Sequence, residues 1–228
     1  FYTETIPAYR NAEQINSAMG RVYGYMGLAT LVSMLVSYFV GSDPELVKFF
    51  FTGIMHWVVV FLPLVAVFAI SIALNTNPPK EIAVGMLLGF AALMGLSFAV
   101  IFAVYTMASI VSAFMGSAVL FGVMSFYGYF TKQSLDSLGK FMFVGLIAII
   151  IASIINIFIG STVMQMVISA LAIIIFLGLT AYDTQKIREM VSYDDSTSSV
   201  EVAGALTLYL DFINIFLSLL QLFGDKKE

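Results

Sequence analysis

The residues best suited to carry out chemistry lie in the last apolar segment of the chain. Asp211 stands near its middle, with apolar-rich sequence on both sides. If this segment crosses a membrane, a carboxylate at that depth is costly and should face protein or water. Small and polar residues recur around it at intervals of three and four, which places them on one helical face: Gly204, Thr207, Asp211, Asn214, Ser218 and Gln221. This face is predicted to point into a helix bundle, where it either lines a pore or forms interhelical hydrogen bonds.

A second carboxylate, Asp183, ends the preceding apolar segment. Lys186 and Arg188 follow it closely, so one interpretation is a solvated helix end or an ion pair with Lys186. If the helix instead continues past the membrane edge, Asp183 lies beside Asp211, in a cavity reached from the cytoplasm. The residues Gln165 and Ser169 occupy roughly the same helical face as Asp183.

The composition indicates that lipid is the solvent for most of the chain. Its 228 residues are 61% hydrophobic and only 11% charged, whereas soluble domains usually carry about 25% charged residues. There is no cysteine, and His56 is the single histidine, so disulfides, thiol nucleophiles and multi-histidine metal or haem sites are excluded. A net charge of -4 makes nucleic acid an unexpected partner. The polar first residues predict that no signal peptide is present.

Seven membrane-spanning helices account for the apolar segments. About 20 helical residues cross a bilayer core. The stretch 82–131 has no charged residue, and as one helix it would extend about 75 Å, so it should reverse near Tyr105-Thr106. The uncharged stretch 141–182 should turn near Gly160-Ser161. The prediction is one all-α transmembrane domain over residues 1–228, with spans at 22–40, 51–74, 82–104, 107–130, 141–159, 162–183 and 202–223.

The basic residues predict the orientation, because cytoplasmic loops are enriched in lysine and arginine. With seven spans, one side of the membrane holds Arg10, Arg21, Lys80, Lys132, Lys140, Lys186 and Arg188. The other side holds Lys48, Lys226 and Lys227. This imbalance predicts a multi-pass protein of the cell membrane, with a cytoplasmic N-terminus and a C-terminus outside.

Three segments resemble the signature of the Bax inhibitor family, also called the transmembrane Bax inhibitor motif proteins. The most specific is LYLDFINIF, at 208–216 in the last span. The segment AYDTQKI, at 181–187, is similar to the family's sixth-span motif, and AALMGLS, at 91–97, is similar to part of the third span. The span layout extends the resemblance over nearly the whole chain, and the short loops look like those of a bacterial member.

The resemblance implies a seven-helix fold whose last helix is central and surrounded by the other six, and it implies a pH-sensitive calcium leak. In that family two aspartates, one on each of the last two spans, share a hydrogen bond and act as the pH sensor. The matching positions are Asp183 and Asp211. Bacterial members also carry arginines at the end of the second span that can pair with the sixth-span aspartate. This chain has no arginine at 73–80, which leaves Asn75 or Lys80 as weaker substitutes.

Two carboxyl groups in a low-dielectric site provide a physical basis for such a sensor. They resist double ionisation and therefore titrate as one unit. The ionised pair favours a counter-cation, and calcium prefers oxygen ligands, so protons and calcium are expected to compete for a transient site at Asp183 and Asp211. No permanently bound cofactor is expected. Protonation is expected to loosen the contact between the last two spans and to change the cation leak along Thr207, Asn214, Ser218 and Gln221.

Other functions could use the same residues. A proton-coupled carrier would use the carboxylates as a relay, and a non-conducting regulator of membrane partners would tolerate their loss. An intramembrane aspartyl protease fits less well, since Tyr182-Asp183 matches one of its motifs but Asp211 is not in a Gly-x-Gly-Asp sequence. We therefore expect no enzymatic activity. The expected partners are the lipid bilayer, calcium and protons, and the sequence points to no particular protein partner.

Overall fold

The structure is a computed structural model that describes residues 10–193 and 198–227. Over these ranges it contains eight helices and no strand: α1 (Ala12–Gly41), α2 (Pro44–Phe50), α3 (Gly53–Leu74), α4 (Lys80–Val104), α5 (Met107–Phe130), α6 (Asp136–Ile159), α7 (Thr162–Met190) and α8 (Ser198–Phe223). All except the short α2 are long and apolar enough to cross a membrane. The predicted class, an all-α protein with seven transmembrane helices, is confirmed.

The two reversals inside uncharged stretches have local causes. Thr106 is the N-cap of α5. Its Oγ1 accepts a hydrogen bond from the Ser109 amide at 3.3 Å, which satisfies one of the unpaired donors of a helix N-terminus. Gly160 ends α6 with a φ of 67°, a left-handed conformation that glycine adopts without a Cβ penalty. Both turns lie where the sequence was expected to reverse.

Five helices are longer than the spans assigned to them, and α1 and α7 extend furthest beyond those spans. α1 begins at Ala12 behind a capping box, in which Asn11 and Gln14 exchange hydrogen bonds of 2.8 and 2.9 Å. α7 continues to Met190, beyond Asp183. Asp183 therefore lies within a helix, and the interpretation of a carboxylate at a helix end is wrong.

α8 is the most buried helix of the bundle. In its most apolar segment 67% of the residues are buried, against at most 39% in any other spanning helix. It packs against α1, α3, α4, α5 and α7. α6 packs on α7 and faces α8 across a cavity. Five spanning helices thus pack against the last helix, and the sixth faces it across the cavity.

Glycines allow the closest approaches between helices. A Cβ atom on Gly95 of α4 would lie 2.6 Å from the carbonyl oxygen of Ser33 on α1. A Cβ atom on Gly128 of α5 would clash with the backbone of Ala181 on α7. Small residues at such contacts let transmembrane helices pack backbone to backbone.

The substitution Gly128→Ala is expected to lower the free energy of unfolding by about 1–3 kcal/mol, because the added methyl group must displace α7. Gly122→Ala on the same helix is the matched control, since nothing lies within 4 Å of its added Cβ. The control should be neutral or stabilising by up to about 1 kcal/mol. Thermal unfolding of both variants in one detergent measures the difference, and equal midpoints would contradict the close approach.

Candidate functional site

A cavity of about 950 Å³ runs along one face of α8, with walls from α6, α7 and α8 and a contribution from α3. Gly204, the first residue of the predicted stripe, packs instead against α7, where an added Cβ would lie 2.8 Å from Ile187 Cγ2. The polar members of the stripe all line the cavity: Thr207, Asp211, Asn214, Ser218 and Gln221. The helical face predicted from the sequence is therefore the wall of a cavity along most of its length.

Asp183 lines the same cavity as Asp211, and the two carboxyl groups lie within hydrogen-bonding reach of each other. Asp211 is only 4% exposed. Ionised carboxylates offer acceptors but no donor, so a hydrogen bond between the two groups requires a proton on one of them. The geometry thus suits a shared proton at the junction of α7 and α8.

The basic residues that follow Asp183 have other partners. Lys186 Nζ lies 2.9 Å from Glu189 Oε2. Arg188 donates to the carbonyl oxygen of Tyr129 at 3.0 Å and stacks over the ring of that residue at 4.8 Å. The ion pair between Asp183 and Lys186 that the sequence left open is not formed in the described part of the chain.

The two residues considered as substitutes for the second-span arginines are also engaged elsewhere. Asn75 forms the C-cap of α3, and Lys80 Nζ lies 5.9 Å from the centre of the Tyr25 ring. Neither lines the cavity that holds the carboxyl pair, but Lys140 of α6 does. The sequence placed Lys140 among the loop charges, because its contact with this cavity depends on how α6 packs.

Two donors on the α8 stripe, those of Thr207 and Asn214, hydrogen-bond to the backbone of their own helix. Thr207 Oγ1 donates to the carbonyl oxygen of Ala203 at 3.1 Å, and Asn214 Nδ2 donates to that of Leu210 at 2.8 Å. The Thr207 hydroxyl and the Asn214 amide therefore keep oxygen lone pairs available to the cavity. Together with two carboxyl groups, these are the oxygen ligands that calcium prefers.

No group of three histidine, cysteine, aspartate or glutamate side chains in the described residues could hold a metal ion. The carboxyl pair is the only acidic cluster among the residues that line this cavity.

The end of the cavity remote from Asp183 is bordered by amide and hydroxyl groups. Gln221 Oε1 accepts hydrogen bonds from Gln165 Nε2 and Ser169 Oγ, both at 2.9 Å. Asn156 Nδ2 donates to Gln165 Oε1 at 3.2 Å. These contacts join α6, α7 and α8, and they place Gln165 and Ser169 on the cavity wall with Asp183.

Comparison with known proteins assigns the chain to a family. The family profile described as "Inhibitor of apoptosis-promoting Bax1" matches residues 15–228. The chain belongs to the Bax inhibitor family. It is 35% identical over 218 residues to "Inner membrane protein YbhL" of Escherichia coli, with 93% of each chain covered. It is 36% identical over 217 residues to an "Uncharacterized membrane protein" of Streptococcus pyogenes, with 92% of this chain and 93% of the relative covered.

These matches confirm the resemblance to the Bax inhibitor family and show that the protein is a multi-pass membrane protein. Two of the three segments that carried the resemblance meet at Ser33 of α1. Ser33 Oγ donates to the carbonyl oxygen of Ala91 at 2.7 Å and lies 2.7 Å from the hydroxyl of Tyr209. Because Tyr209 is fully buried, this contact satisfies its polar group and anchors α8 to α1 and α4.

A half-buried ion pair between α1 and α8 was missed by the sequence analysis. Arg21 Nε and Nη2 contact the two carboxylate oxygens of Glu201 at 2.8 and 2.6 Å, and Glu201 is 5% exposed. The partners are 180 residues apart in the chain, so no local pattern could pair them. The contact ties the first turn of α8, the helix that carries Asp211, to α1.

Removing the charge of Arg21 is expected to destabilise the protein more than removing that of Glu201. Arg21→Gln leaves a buried carboxylate unpaired, at a cost of about 2–4 kcal/mol. Glu201→Gln leaves an arginine whose side chain is 41% exposed and can be solvated. The double variant should recover part of the loss. The free energies of unfolding of the three variants test this expectation. If the losses of the two single variants simply add up in the double variant, the ion pair is not direct.

Proposed function

We propose that this Bax inhibitor family protein is a pH-sensitive calcium-leak channel of the cell membrane, gated by Asp183 and Asp211. The observation that supports the proposal is a carboxyl pair on the wall of a cavity of about 950 Å³ beside the central helix. A carboxyl pair that served packing alone would not need an open space of this size next to it. No catalytic step is part of the proposal.

The pair couples calcium occupancy to protonation. A calcium ion at the pair is stabilised most when both carboxyl groups are ionised, whereas a shared proton removes one negative charge. Calcium binding therefore displaces a proton, and the apparent calcium affinity rises with pH, by at most about tenfold per pH unit for one displaced proton. In acidic buffer the proton prevails, and calcium occupancy of the pair falls.

The proposed orientation assigns each end of the cavity to a side of the membrane. With a cytoplasmic N-terminus and an external C-terminus, Lys140 and Asp183 lie toward the cytoplasm, and Gln165 and Gln221 lie toward the outside. A leaking cation would pass between these ends along the oxygen atoms of Thr207, Asn214 and Ser218. The pair would then sense the pH of the cytoplasm.

The test is calcium entry into proteoliposomes that contain a calcium-sensitive dye, measured over a series of buffers from acidic to alkaline. We expect protein-dependent calcium entry whose rate changes with pH. Liposomes without protein are the control for passive leak. A rate equal to that of empty liposomes at every pH would refute the channel proposal.

A proton-coupled carrier is the second candidate, because the cavity volume falls in the range of pockets for small organic ligands, about 300–1,000 Å³. A carrier would take up protons only when its solute is present. Proton uptake by calcium-free proteoliposomes, recorded while candidate solutes are added, separates the two functions. Solute-dependent uptake without a calcium leak would favour the carrier.

A further inference from the structure

A second cavity, of about 340 Å³, lies against another face of α8, between α1, α4 and α5. Aromatic rings form much of its wall. The ring of Phe114 on α5 is centred 5.4 Å from that of Phe212 and 6.4 Å from that of Phe216. On the other wall, the rings of Tyr38 and Phe102 are 5.8 Å apart. We refer to this space as the aromatic groove.

Two of the hydroxyl groups that line the aromatic groove donate hydrogen bonds within the protein. Thr30 Oγ1 donates to the carbonyl oxygen of Met26 at 2.9 Å, and Ser33 Oγ donates to that of Ala91 at 2.7 Å. With these donors already paired inside the protein, water in the groove would find few partners. The space therefore favours an apolar occupant.

The aromatic groove opens toward the surface that faces lipid. Its rim carries half-exposed apolar side chains from α1 and α5: Met34, Leu35, Met107 and Val111. In a membrane this rim borders hydrocarbon. An empty groove would forfeit dispersion contacts along its whole wall, so a hydrocarbon chain is the occupant that its shape and chemistry suit.

A cation lies at one end of the aromatic groove. After α8 the chain folds back over the turn between α4 and α5, where the Lys227 amide donates to the carbonyl oxygen of Val104 at 2.8 Å. Lys227 Nζ donates to the carbonyl oxygen of Phe102, a lining residue, at 2.6 Å. An ammonium group has three donors, so two remain for an anionic group at the level of the helix ends.

We propose that the aromatic groove is a phospholipid site, in which one acyl chain lies between α1 and α5 and the phosphate is bound by Lys227. The acyl chain packs on Phe212 and Phe216, and thus supports α8 from a side other than that of the carboxyl pair. The site does not depend on the proposed channel function, because its test measures bound lipid and not calcium.

The experiment uses the full chain, reconstituted in vesicles of palmitoyl-oleoyl phosphatidylglycerol, extracted in mild detergent and washed. Native mass spectrometry then measures the fraction of chains that retain one phospholipid. Val111→Trp covers the rim and should lose most of this retention. Ile155→Trp is the matched control on α6. Val111 lies four positions after the start of α5 and Ile155 four positions before the end of α6, which is the same side of the membrane, and the two residues are 52% and 46% exposed.

The charge is tested separately, with a substitution that cannot disturb the helix packing. Lys227→Gln should lower phospholipid retention about fivefold, the effect of one basic residue beside a lipid phosphate. Lys48→Gln, which removes a charge from α2 on the same side of the membrane but outside the groove, should retain lipid as the wild type does.

Three results would overturn the proposal. The first is equal retention by the wild type, Val111→Trp and Ile155→Trp, which would mean that lipid adheres to the whole surface. The second is unchanged retention in Lys227→Gln. The third is equal retention of phosphatidylglycerol and of a diacylglycerol with the same chains, which would exclude a role for the phosphate.

Discussion

Asp211→Asn is expected to remove the pH dependence of calcium entry, so that the ratio of rates in acidic and alkaline buffer falls to about 1. Asparagine has nearly the shape of a protonated aspartic acid and cannot ionise. The variant should therefore show, at every pH, a rate close to that of the wild type in acidic buffer. Calcium entry into proteoliposomes, with equal protein content for each variant, measures this ratio.

Asp183→Asn should have the same effect, because the two carboxyl groups titrate as one unit and the loss of either removes the coupling. Asp136→Asn is the matched control: Asp136 lies in the first turn of α6, accepts a hydrogen bond from Ser134 at 2.8 Å and does not line the cavity. It should keep the wild-type pH profile. A wild-type profile in both Asp183→Asn and Asp211→Asn would show that the sensor lies elsewhere.

Asn214→Leu is expected to lower calcium entry by about tenfold or more, the effect of losing one hydrogen-bonding group to a charged partner. Leucine is close to asparagine in size, so the cavity keeps its volume while its wall loses an amide oxygen. The carboxyl pair is unchanged, and the remaining flux should keep its dependence on pH. This separation of rate from pH profile distinguishes a residue of the path from a residue of the sensor.

Two controls sharpen this experiment. Asn214→Gln keeps an amide oxygen on the same wall and should retain more flux than the leucine variant. Ile213→Leu changes the adjacent residue, which lines the aromatic groove instead, and should conduct as the wild type does. A wild-type rate in Asn214→Leu would place the conducting path outside this cavity.

The position of α8 explains why small changes at its surface are expected to have large effects. One end is held to α1 by the ion pair between Arg21 and Glu201, and its middle by the contact between Tyr209 and Ser33. Cavities flank it on two faces, one with the carboxyl pair and one with aromatic rings. A central helix with fixed anchors and open flanks can shift its packing without unfolding.

Much of the architecture could be predicted because few backbone structures are stable in hydrocarbon. A backbone without access to water must pair its polar groups internally, so long apolar segments become helices. The periodicity of 3.6 residues then places Thr207, Asp211, Asn214, Ser218 and Gln221 on one face whatever the neighbours are. The turns near Thr106 and Gly160 followed from length alone, since no single helix of that length fits a bilayer.

The helix ends were harder to predict, and the error at α7 affected the interpretation of Asp183. Hydropathy marks where hydrocarbon ends, but a helix continues as long as its backbone and its packing favour it. Val191 and Ile187 are buried, so the last turns of α7 are held by contacts that hydropathy does not report. The sequence therefore allowed two positions for Asp183, one at a solvated helix end and one in a buried site.

The sequence by itself determined the membrane solvent, the seven spanning helices and the polar face of the last one, because these depend on composition and local periodicity. The family followed from the resemblance of three short segments to its signature. Only the tertiary structure decided which residues lie opposite that polar face. It brought Asp183 to Asp211 and placed Lys140 on the cavity wall. Such contacts depend on how helices pack against one another, and packing joins residues that the chain separates widely.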